Sequence, residues 1–232
     1  MNITKDKSEY WVDLKDNSQT VSTSWSDPKR FYCDVGHIVP LINLLKPISI
    51  RDIACGNGRH IKVLLEFFDH FKNVELWDFN SIYIEKLKRY YSKQSHINAY
   101  ELDISDEDCY FPTGSDLDLC FGSLHYILKD DPLKVFFGRM APTSFIRVPC
   151  SFENRIEVDT FSEDLQAPYQ ATYRTVEEYI ELLSLYYDNI EWKYAYDVSF
   201  DSLHNTRQIY ILCQKEKNVS LESLEEWGHW LV

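Results

Sequence analysis

From residue 48 onward, short strand patterns alternate with helical patterns, and this alternation restricts the chain to an α/β fold. Strands are predicted at residues 49–54, 74–78, 97–104, 117–122, 143–150, 190–196 and 207–215. Helices are predicted from Ile61, at residues 81–93 and after Thr175, which matches a capping box with Glu178. We therefore expect a Rossmann-like, doubly wound, mostly parallel seven-stranded sheet with helices on both faces.

The 232 residues are expected to form one domain. Residues 1–47 are aromatic and fall outside the alternation, so they are predicted to form an irregular N-terminal aromatic cap on the sheet. Residues 48–215 form the α/β core, in which residues 150–174 are an insertion without clear period and are expected to act as a functional loop. Residues 216–232 are a polar tail with a possible closing helix.

The first strand runs directly into a turn that contains Gly56 and Gly58, and a helix follows. Small residues let the backbone pass close to a ligand at the helix N-terminus, where open parallel sheets bind cofactors. Asp78 ends the second strand about 20 residues later, the place of a carboxylate that accepts hydrogen bonds from both hydroxyls of a ribose. Two structural alternatives stay open: the glycines could serve the turn alone, and Asp78 could cap the next helix in competition with Asn80.

The segment Asp52-Ile-Ala-Cys-Gly-Asn-Gly58 resembles the first motif of the class I S-adenosylmethionine-dependent methyltransferases, usually Asp-x-Gly-x-Gly-x-Gly. The resemblance continues through Trp77-Asp78-Phe79, Glu101-Leu-Asp103-Ile104 and Asp118-Leu-Cys-Phe-Gly-Ser-Leu-His125, and it covers residues 48–215. The chain departs from the pattern at Ala54, where glycine is commoner and a methyl group crowds the turn mildly.

The resemblance implies that S-adenosyl-L-methionine is the cofactor and that each motif contacts a different part of it. By position, the residues at the methionine end are Asp52, Ala54, Cys55, Gly56 and Gly58. Those at the ribose and adenine are Asp78, Phe79, Asp103 and Ile104. The floor, at the edge of the methyl-transfer site, is formed by Phe121, Gly122 and Ser123.

A methyl acceptor that carries a hydroxyl or ammonium group needs a base to take its proton. His125 follows the fourth strand and is the predicted catalytic base; the alternative is that it caps the next helix or packs against the adenosine. Aromatic and arginine side chains of the cap and of the segment after the fifth strand are predicted to bind the acceptor. These are Tyr10, Trp11, Tyr32, Arg147, Tyr173 and Arg174. Arg147 lies in an apolar strand, so its guanidinium needs an acidic partner, from a substrate or from the chain.

The formal net charge of −13 argues against partners that require a broad basic surface. Nucleic acids and anionic membranes are such partners, and neither is expected here. The N-terminus has no apolar secretory segment and the most apolar stretch is too short to span a bilayer, so a soluble, cytoplasmic protein is expected. Six scattered cysteines include no Cys-x-x-Cys pair, and no metal site is predicted.

The motifs together favour a methyltransferase that acts on a small molecule or saccharide, and a histidine base favours an oxygen acceptor. The alternatives are an N-methyltransferase on an amino sugar or other small amine, a different enzyme of similar fold, and a cofactor-binding protein without turnover. A nicotinamide-dependent oxidoreductase is disfavoured because the third glycine of the dinucleotide fingerprint is replaced by Ile61. The oligomeric state and the identity of the acceptor stay open.

Overall fold

The computed structural model describes residues 28–108, 111, 114–162, 167–196 and 205–228. In chain order its helices and strands are α1 Pro28–Leu45, β1 Ser49–Ile53, α2 Arg59–Phe67, β2 Asn73–Asp78, α3 Ser81–Tyr90, β3 Ile97–Glu101, β4 Leu117–Phe121, α4 Asp130–Arg139, β5 Thr143–Ser151, β6 Ile156–Ser162, β7 Ala167–Tyr173, α5 Val176–Leu183, β8 Asn189–Tyr194, β9 Thr206–Gln214 and α6 Leu221–Gly228. A short 3-10 helix, Leu124–Tyr126, follows β4.

Seven strands form one sheet in the order β3-β2-β1-β4-β5-β9-β8. The pairings among β1 to β5 are parallel, and β9 runs antiparallel to both β5 and β8. The strand order reverses between β1 and β4, the position where open α/β sheets form a crevice beyond the carboxyl ends of their strands. The predicted Rossmann-like fold with a mostly parallel seven-stranded sheet is therefore confirmed.

Both faces of this sheet are covered by helices. One cluster of buried apolar side chains joins the sheet to α1, α2, α3 and α6, and includes Ile38, Ile61 and Leu224. The other joins it to α4 and α5, and includes Phe136 and Leu183. The apolar residues of the central strands point to one cluster or the other, so both faces of the sheet are buried. Charged residues also lie buried in these strands, among them Arg51 and Asp118.

The N-terminal cap departs from its predicted irregular form. Residues 28–45 form the helix α1, and residues 1–27 lie outside the described part of the chain. The buried residues Val35, Ile38, Leu41 and Ile42 have helical spacing, but Pro40 interrupts the pattern in the sequence. The helix tolerates this proline because its buried face packs against the sheet.

The segment after β5 is also more regular than expected. Its strands β6 and β7 pair as an antiparallel hairpin, separate from the main sheet. Ile156, Val158 and Thr160 alternate with acidic or aromatic residues along β6, so a period of two was present in the sequence. The helix α4 was not predicted either, although Leu133, Phe136 and Phe137 bury one of its faces.

Polar contacts fix the ends of several elements near the sheet edge. Asn80 caps α3, because its side chain accepts hydrogen bonds from the backbone of Ile82 and Tyr83 at 3.0 and 3.4 Å. Thr175 and Glu178 form the predicted capping box at the start of α5. These caps hold the first turns of both helices in place.

Candidate functional site

The turn between β1 and α2 adopts a backbone that few residues accept. Ala54, Gly56 and Gly58 all have positive φ angles, of 54°, 54° and 71°. For Ala54 this left-handed conformation costs about 1–2 kcal/mol, and strain of this kind is concentrated at functional sites. A Cβ added to Gly58 would approach Leu87 Cδ2 at 2.8 Å, whereas one added to Gly56 would meet no atom within 4 Å. A side chain at position 58 would displace Leu87, whereas Gly56 leaves open space beside the backbone.

Asp78 clamps this turn to the end of β2. Its carboxylate accepts hydrogen bonds from the backbone N–H of Gly56 at 2.8 Å and of Asn80 at 2.9 Å. Burial raises the pKa of Asp78 to about 6, although these two hydrogen bonds oppose the shift. The helix cap itself is Asn80. Asp78 therefore holds the turn, and each of its oxygens keeps a second lone pair.

Asp52 is a buried carboxylate at the carboxyl end of β1. It is 1% exposed, and its Oδ2 has no hydrogen-bond partner among the described residues. Burial and the neighbouring Asp78 raise the pKa of Asp52 to about 8, and Arg59 offsets part of this shift. An unpartnered buried carboxyl group is costly, which makes Asp52 a candidate ligand contact beside the open turn.

A cavity of about 190 Å³ opens above the turn, at the edge where β1 and β4 end and beside the middle of β5. The register Phe121↔Arg147 places these two side chains at the same level of the sheet. The residues that line the cavity are Asp52, Ala54, Cys55, Gly56, Asn57, Arg59, His60, Tyr83, Phe121 and Arg147. Five of the predicted cofactor residues and one predicted substrate residue are therefore brought together here.

Three further predicted cofactor residues are not among those that line this cavity. Phe79 is half-buried after β2. Asp103 is exposed and accepts hydrogen bonds from the backbone and hydroxyl of Ser105 at 2.8 and 2.7 Å. Ile104 packs against the second core cluster. These residues follow β2, which pairs with β1, and β3, which pairs with β2, so they lie at the same carboxyl edge of the sheet.

The floor predicted after β4 is a tight turn. Gly122 has a φ of 72° and donates its N–H to the carbonyl of Arg147 at 2.7 Å. The hydroxyl of Ser123 lies 3.3 Å from Cys120 Sγ. This turn directs the chain into the 3-10 helix that carries His125.

His125, the predicted base, does not line the cavity described above. It is 2% exposed, and its ring stacks on Tyr173 at 5.5 Å and contacts Tyr126 at 4.0 Å. Tyr173 is itself buried, and its hydroxyl bonds that of Tyr169. Both residues belong to the packing of the hairpin against the end of β4, and the role of His125 as base stays a prediction.

Arg174 differs from its predicted role as a substrate ligand. It is 0% exposed, its Nε donates to Asp130 Oδ1 at 2.8 Å, and its Nη1 donates to the carbonyl of Ile127 at 3.0 Å. The guanidinium therefore has no surface to offer to a substrate and instead ties β7 to the start of α4. Tyr32 is 68% exposed on α1, and the other two aromatic candidates, Tyr10 and Trp11, lie outside the described residues.

Arg147 has the acidic partner that its position required. Its Nε lies 3.1 Å from Asp34 Oδ1 on α1, and its Nη1 donates to Gln208 Oε1 at 3.2 Å. Asp34 was missed in the sequence because it lies far from Arg147 and in a segment without an obvious pattern. The cavity residues Arg59 and His60 were missed too, although they directly follow the glycine turn.

Within the described residues, no group of three or more histidine, cysteine or acidic side chains could hold a metal ion. The described cysteines Cys33, Cys55, Cys120, Cys150 and Cys213 are free thiols. No helix in this part of the chain is long and apolar enough to cross a membrane.

The arrangement of sheet, turn and edge cavity is that of the class I S-adenosylmethionine-dependent methyltransferase fold. A methyltransferase of this kind from Leishmania major superposes with a TM-score of 0.62 at 17% identity, over 88% of this chain and 80% of that one. The 1,6-didemethyltoxoflavin N1-methyltransferase of Burkholderia thailandensis, with S-adenosylhomocysteine bound, superposes with a TM-score of 0.58 at 15% identity, over 83% and 81%. No protein-family model and no curated protein sequence matches the chain.

The same fold is also found in a protein named for a different reaction. The 4+2 cyclase SpnF superposes with a TM-score of 0.59 at 11% identity, over 84% of each chain. The likeness to these structures therefore shows the fold, and the activity has to be argued from the site.

Proposed function

We propose that the chain is an S-adenosylmethionine-dependent methyltransferase that binds its cofactor in the cavity above the glycine turn. The observation that carries the proposal is the unpartnered, buried Oδ2 of Asp52, which lines a cavity beside the open backbone of Gly56. An ammonium group such as that of the methionine moiety supplies both the missing donor and a compensating positive charge.

The residues of the turn fit such a ligand. Gly56 leaves free space where any other residue would carry a Cβ, so the ligand can approach the backbone closely. The second lone pairs of Asp78 are available to the ribose hydroxyls, and Phe79, Asp103 and Ile104 lie along the edge where the adenine would follow. Two carboxylates near the methionine and ribose also suit a cofactor with a positively charged sulfonium.

The bound cofactor supplies an activated methyl group on a sulfonium. The chain's own contribution is to hold the acceptor in line with that methyl group, to exclude water and to accept a proton. Phe121 provides an apolar surface, and Arg59 and Arg147 are cations on the cavity wall. These cations suit an acceptor that carries a carboxylate or phosphate, because arginine binds such groups with two donors at once.

We propose a small molecule or a saccharide as the acceptor and oxygen as the methylated atom. The net charge of −13 disfavours nucleic acids. A small-molecule acceptor also agrees with the name of the Burkholderia enzyme, which acts on 1,6-didemethyltoxoflavin. The alternative is methylation of a small amine. A base in the cavity would be useful there too, because an ammonium acceptor must also lose a proton.

A second candidate is an enzyme that keeps the cofactor site and catalyses another reaction, and the fold shared with the cyclase SpnF favours this alternative. The two are separated by transfer of a labelled methyl group to small acceptors. A protein that binds the cofactor and transfers no methyl group to any acceptor would favour the second candidate.

Isothermal titration calorimetry with S-adenosylhomocysteine tests the cofactor site directly. We expect one site per chain with a dissociation constant in the micromolar range, and no binding of NADH. Absence of S-adenosylhomocysteine binding by the full chain would overturn the proposal, and preferential binding of NADH would redirect it to a dinucleotide enzyme.

A further inference from the structure

A buried carboxylate on α1 contacts α2, β5, β9 and the segment that follows β8. Asp34 is 0% exposed and accepts a hydrogen bond from Tyr210 at 2.8 Å and from Tyr196 at 3.2 Å. Its oxygens also lie 3.1 Å from Arg147 Nε and 3.3 Å from His60 Nε2. Burial alone would raise the pKa of Asp34, but Arg147 and these hydrogen bonds outweigh it and hold the pKa below its ordinary value. Asp34 is therefore ionised.

His60 extends this cluster to the cavity. It lies on the first turn of α2, two residues after Gly58, and its ring packs between Phe31 at 5.3 Å and Phe121 at 4.9 Å. It lines the cavity together with Phe121. Because Asp34 can only accept, Nε2 of a neutral His60 carries the proton and donates it, so the lone pair is on Nδ1.

Several charged groups face the imidazole from the elements around it. They are Asp34 from α1, Arg59 on its own helix and Arg147 on β5. Burial lowers the pKa of His60, the two arginines add to the effect, and Asp34 opposes it. The ring is therefore neutral at pH 7 and able to accept a proton.

We propose that His60 is the general base for the methyl acceptor and that Asp34 is the positioning residue that fixes its tautomer. The inference rests on the proposed methyltransferase function and names the group that serves it. Among the histidines predicted or found near this sheet edge, His60 lines the cavity, whereas His125 is packed under Tyr173.

The proposed step balances as follows for a hydroxyl acceptor. The O–H bond of the acceptor breaks, and its proton passes to Nδ1 of His60, which becomes an imidazolium opposite ionised Asp34. The electron pair left on oxygen forms the bond to the methyl carbon as the carbon–sulfur bond breaks. That bonding pair stays on sulfur, which becomes an uncharged thioether.

Nuclear magnetic resonance of the free protein tests the tautomer without any acceptor. Long-range ¹H–¹⁵N spectra of ¹⁵N-histidine-labelled full chain distinguish the two neutral tautomers and the charged ring. The chain has seven histidines, and the signals of His60 are those that disappear in His60→Gln. We expect the neutral Nε2–H form at pH 7. A charged ring, or the Nδ1–H form, would overturn the proposal.

Kinetics test the role of His60 in turnover. The assay measures methyl transfer from tritiated S-adenosylmethionine to the best acceptor found in a panel of phenols, hydroxy acids, sugars and amines. We expect His60→Gln to lower kcat by about 10²–10⁴-fold, while the dissociation constant of S-adenosylhomocysteine changes less than about threefold. In His60→Ala, added imidazole should restore part of kcat, which a purely structural role would not produce. His96→Gln is the matched control and is expected to keep its turnover, because His96 directly precedes β3 at the amino-terminal edge of the parallel strands, opposite the cavity.

The outcomes separate this inference from the function on which it rests. Wild-type protein that does not bind S-adenosylhomocysteine contradicts the proposed function. Binding with unchanged kcat in His60→Gln, or loss of kcat in His125→Gln alone, contradicts only the assignment of the base. Asp34→Asn also removes the charge opposite buried Arg147 and is expected to lower stability, so the His60 variants carry the test.

Discussion

Replacement of Asp52 by asparagine should stabilise the protein above neutral pH and weaken its cofactor binding. The pKa of Asp52 is raised from 3.8 to about 8 by burial and by Asp78. The folded state therefore holds a proton that the unfolded chain releases near pH 4. The stability that this proton confers is present below pH 4 and is lost as the pH rises through 8. Asparagine cannot ionise, so the variant escapes that loss.

The size of the effect follows from linkage. Between pH 5 and 8, one bound proton changes the free energy of unfolding by about 1.4 kcal/mol per pH unit, or at most about 4 kcal/mol over the interval. Relaxation of the turn and entry of water reduce this, and we expect about 2–4 kcal/mol. Asp78 is present in both proteins, so its own titration cancels to first order in their difference.

Urea unfolding of wild type and Asp52→Asn at pH 5, 6, 7 and 8, followed by circular dichroism, measures this difference. Asp69→Asn is the matched control because Asp69 is exposed, and its curve should stay parallel to wild type. A wild-type curve parallel to that of Asp52→Asn over the whole range would refute the reasoning, because Asp52 would then not be the buried group that holds the proton.

The same variant tests the ligand contact. A charge-assisted hydrogen bond contributes about 1.5–3 kcal/mol, so Asp52→Asn should weaken S-adenosylhomocysteine binding by about 10–150-fold. Asp52 is mostly protonated at pH 7, and the ammonium group of the ligand favours its ionised form. Binding to the wild type should therefore release about one proton. Calorimetric titration in buffers of different ionisation enthalpy detects this release. Unchanged affinity would show that Oδ2 does not meet the ligand.

Three further substitutions test the surrounding structure. Gly56→Val should abolish S-adenosylhomocysteine binding in calorimetry while the far-UV circular dichroism spectrum stays largely unchanged. The valine side chain would fill the open space beside the turn and strain a backbone with a φ of 54°. The control is Gly114→Val, because φ is not positive at Gly114 and a Cβ has room there. Thr175→Ala should lower the free energy of unfolding by about 1 kcal/mol through loss of the cap, and Thr175→Ser should retain most of it. Arg51→Met should destabilise by about 3–5 kcal/mol, because it leaves Asp118 buried without its bidentate partner, and Asp118→Asn added to it should recover part of the loss.

The strands and the glycine turn were predictable because their signals are local. A buried parallel strand is a short, predominantly apolar run between turn signals, and a left-handed turn favours glycine. The helix α1 was obscured by Pro40 in an otherwise helical pattern, and β6 by the mixture of acidic and apolar residues on a hairpin with one exposed face. In both cases, tertiary packing outweighs a weak local preference.

The individual site residues divide in the same way. Asp52 and Gly56 line the cavity because they lie at the end of β1 and in the turn that follows it. A residue in either place necessarily lies at the carboxyl edge of the sheet. For His125 and Arg174, a place near the end of a strand did not decide where the side chain points. The hairpin covers His125, and Asp130 at the start of α4 binds the guanidinium of Arg174.

The sequence by itself determined the fold class, the turn above which a ligand can lie and the carboxylates beside it, since each depends on residues that are neighbours along the chain. Only the tertiary structure showed which residues form the polar cluster at the side of the cavity away from the glycine turn. Asp34, His60 and Arg147 come from a helix, the start of another helix and a strand, and no local pattern links them. They meet because α1 packs on the sheet, and a buried carboxylate there must collect every donor within reach to stay ionised.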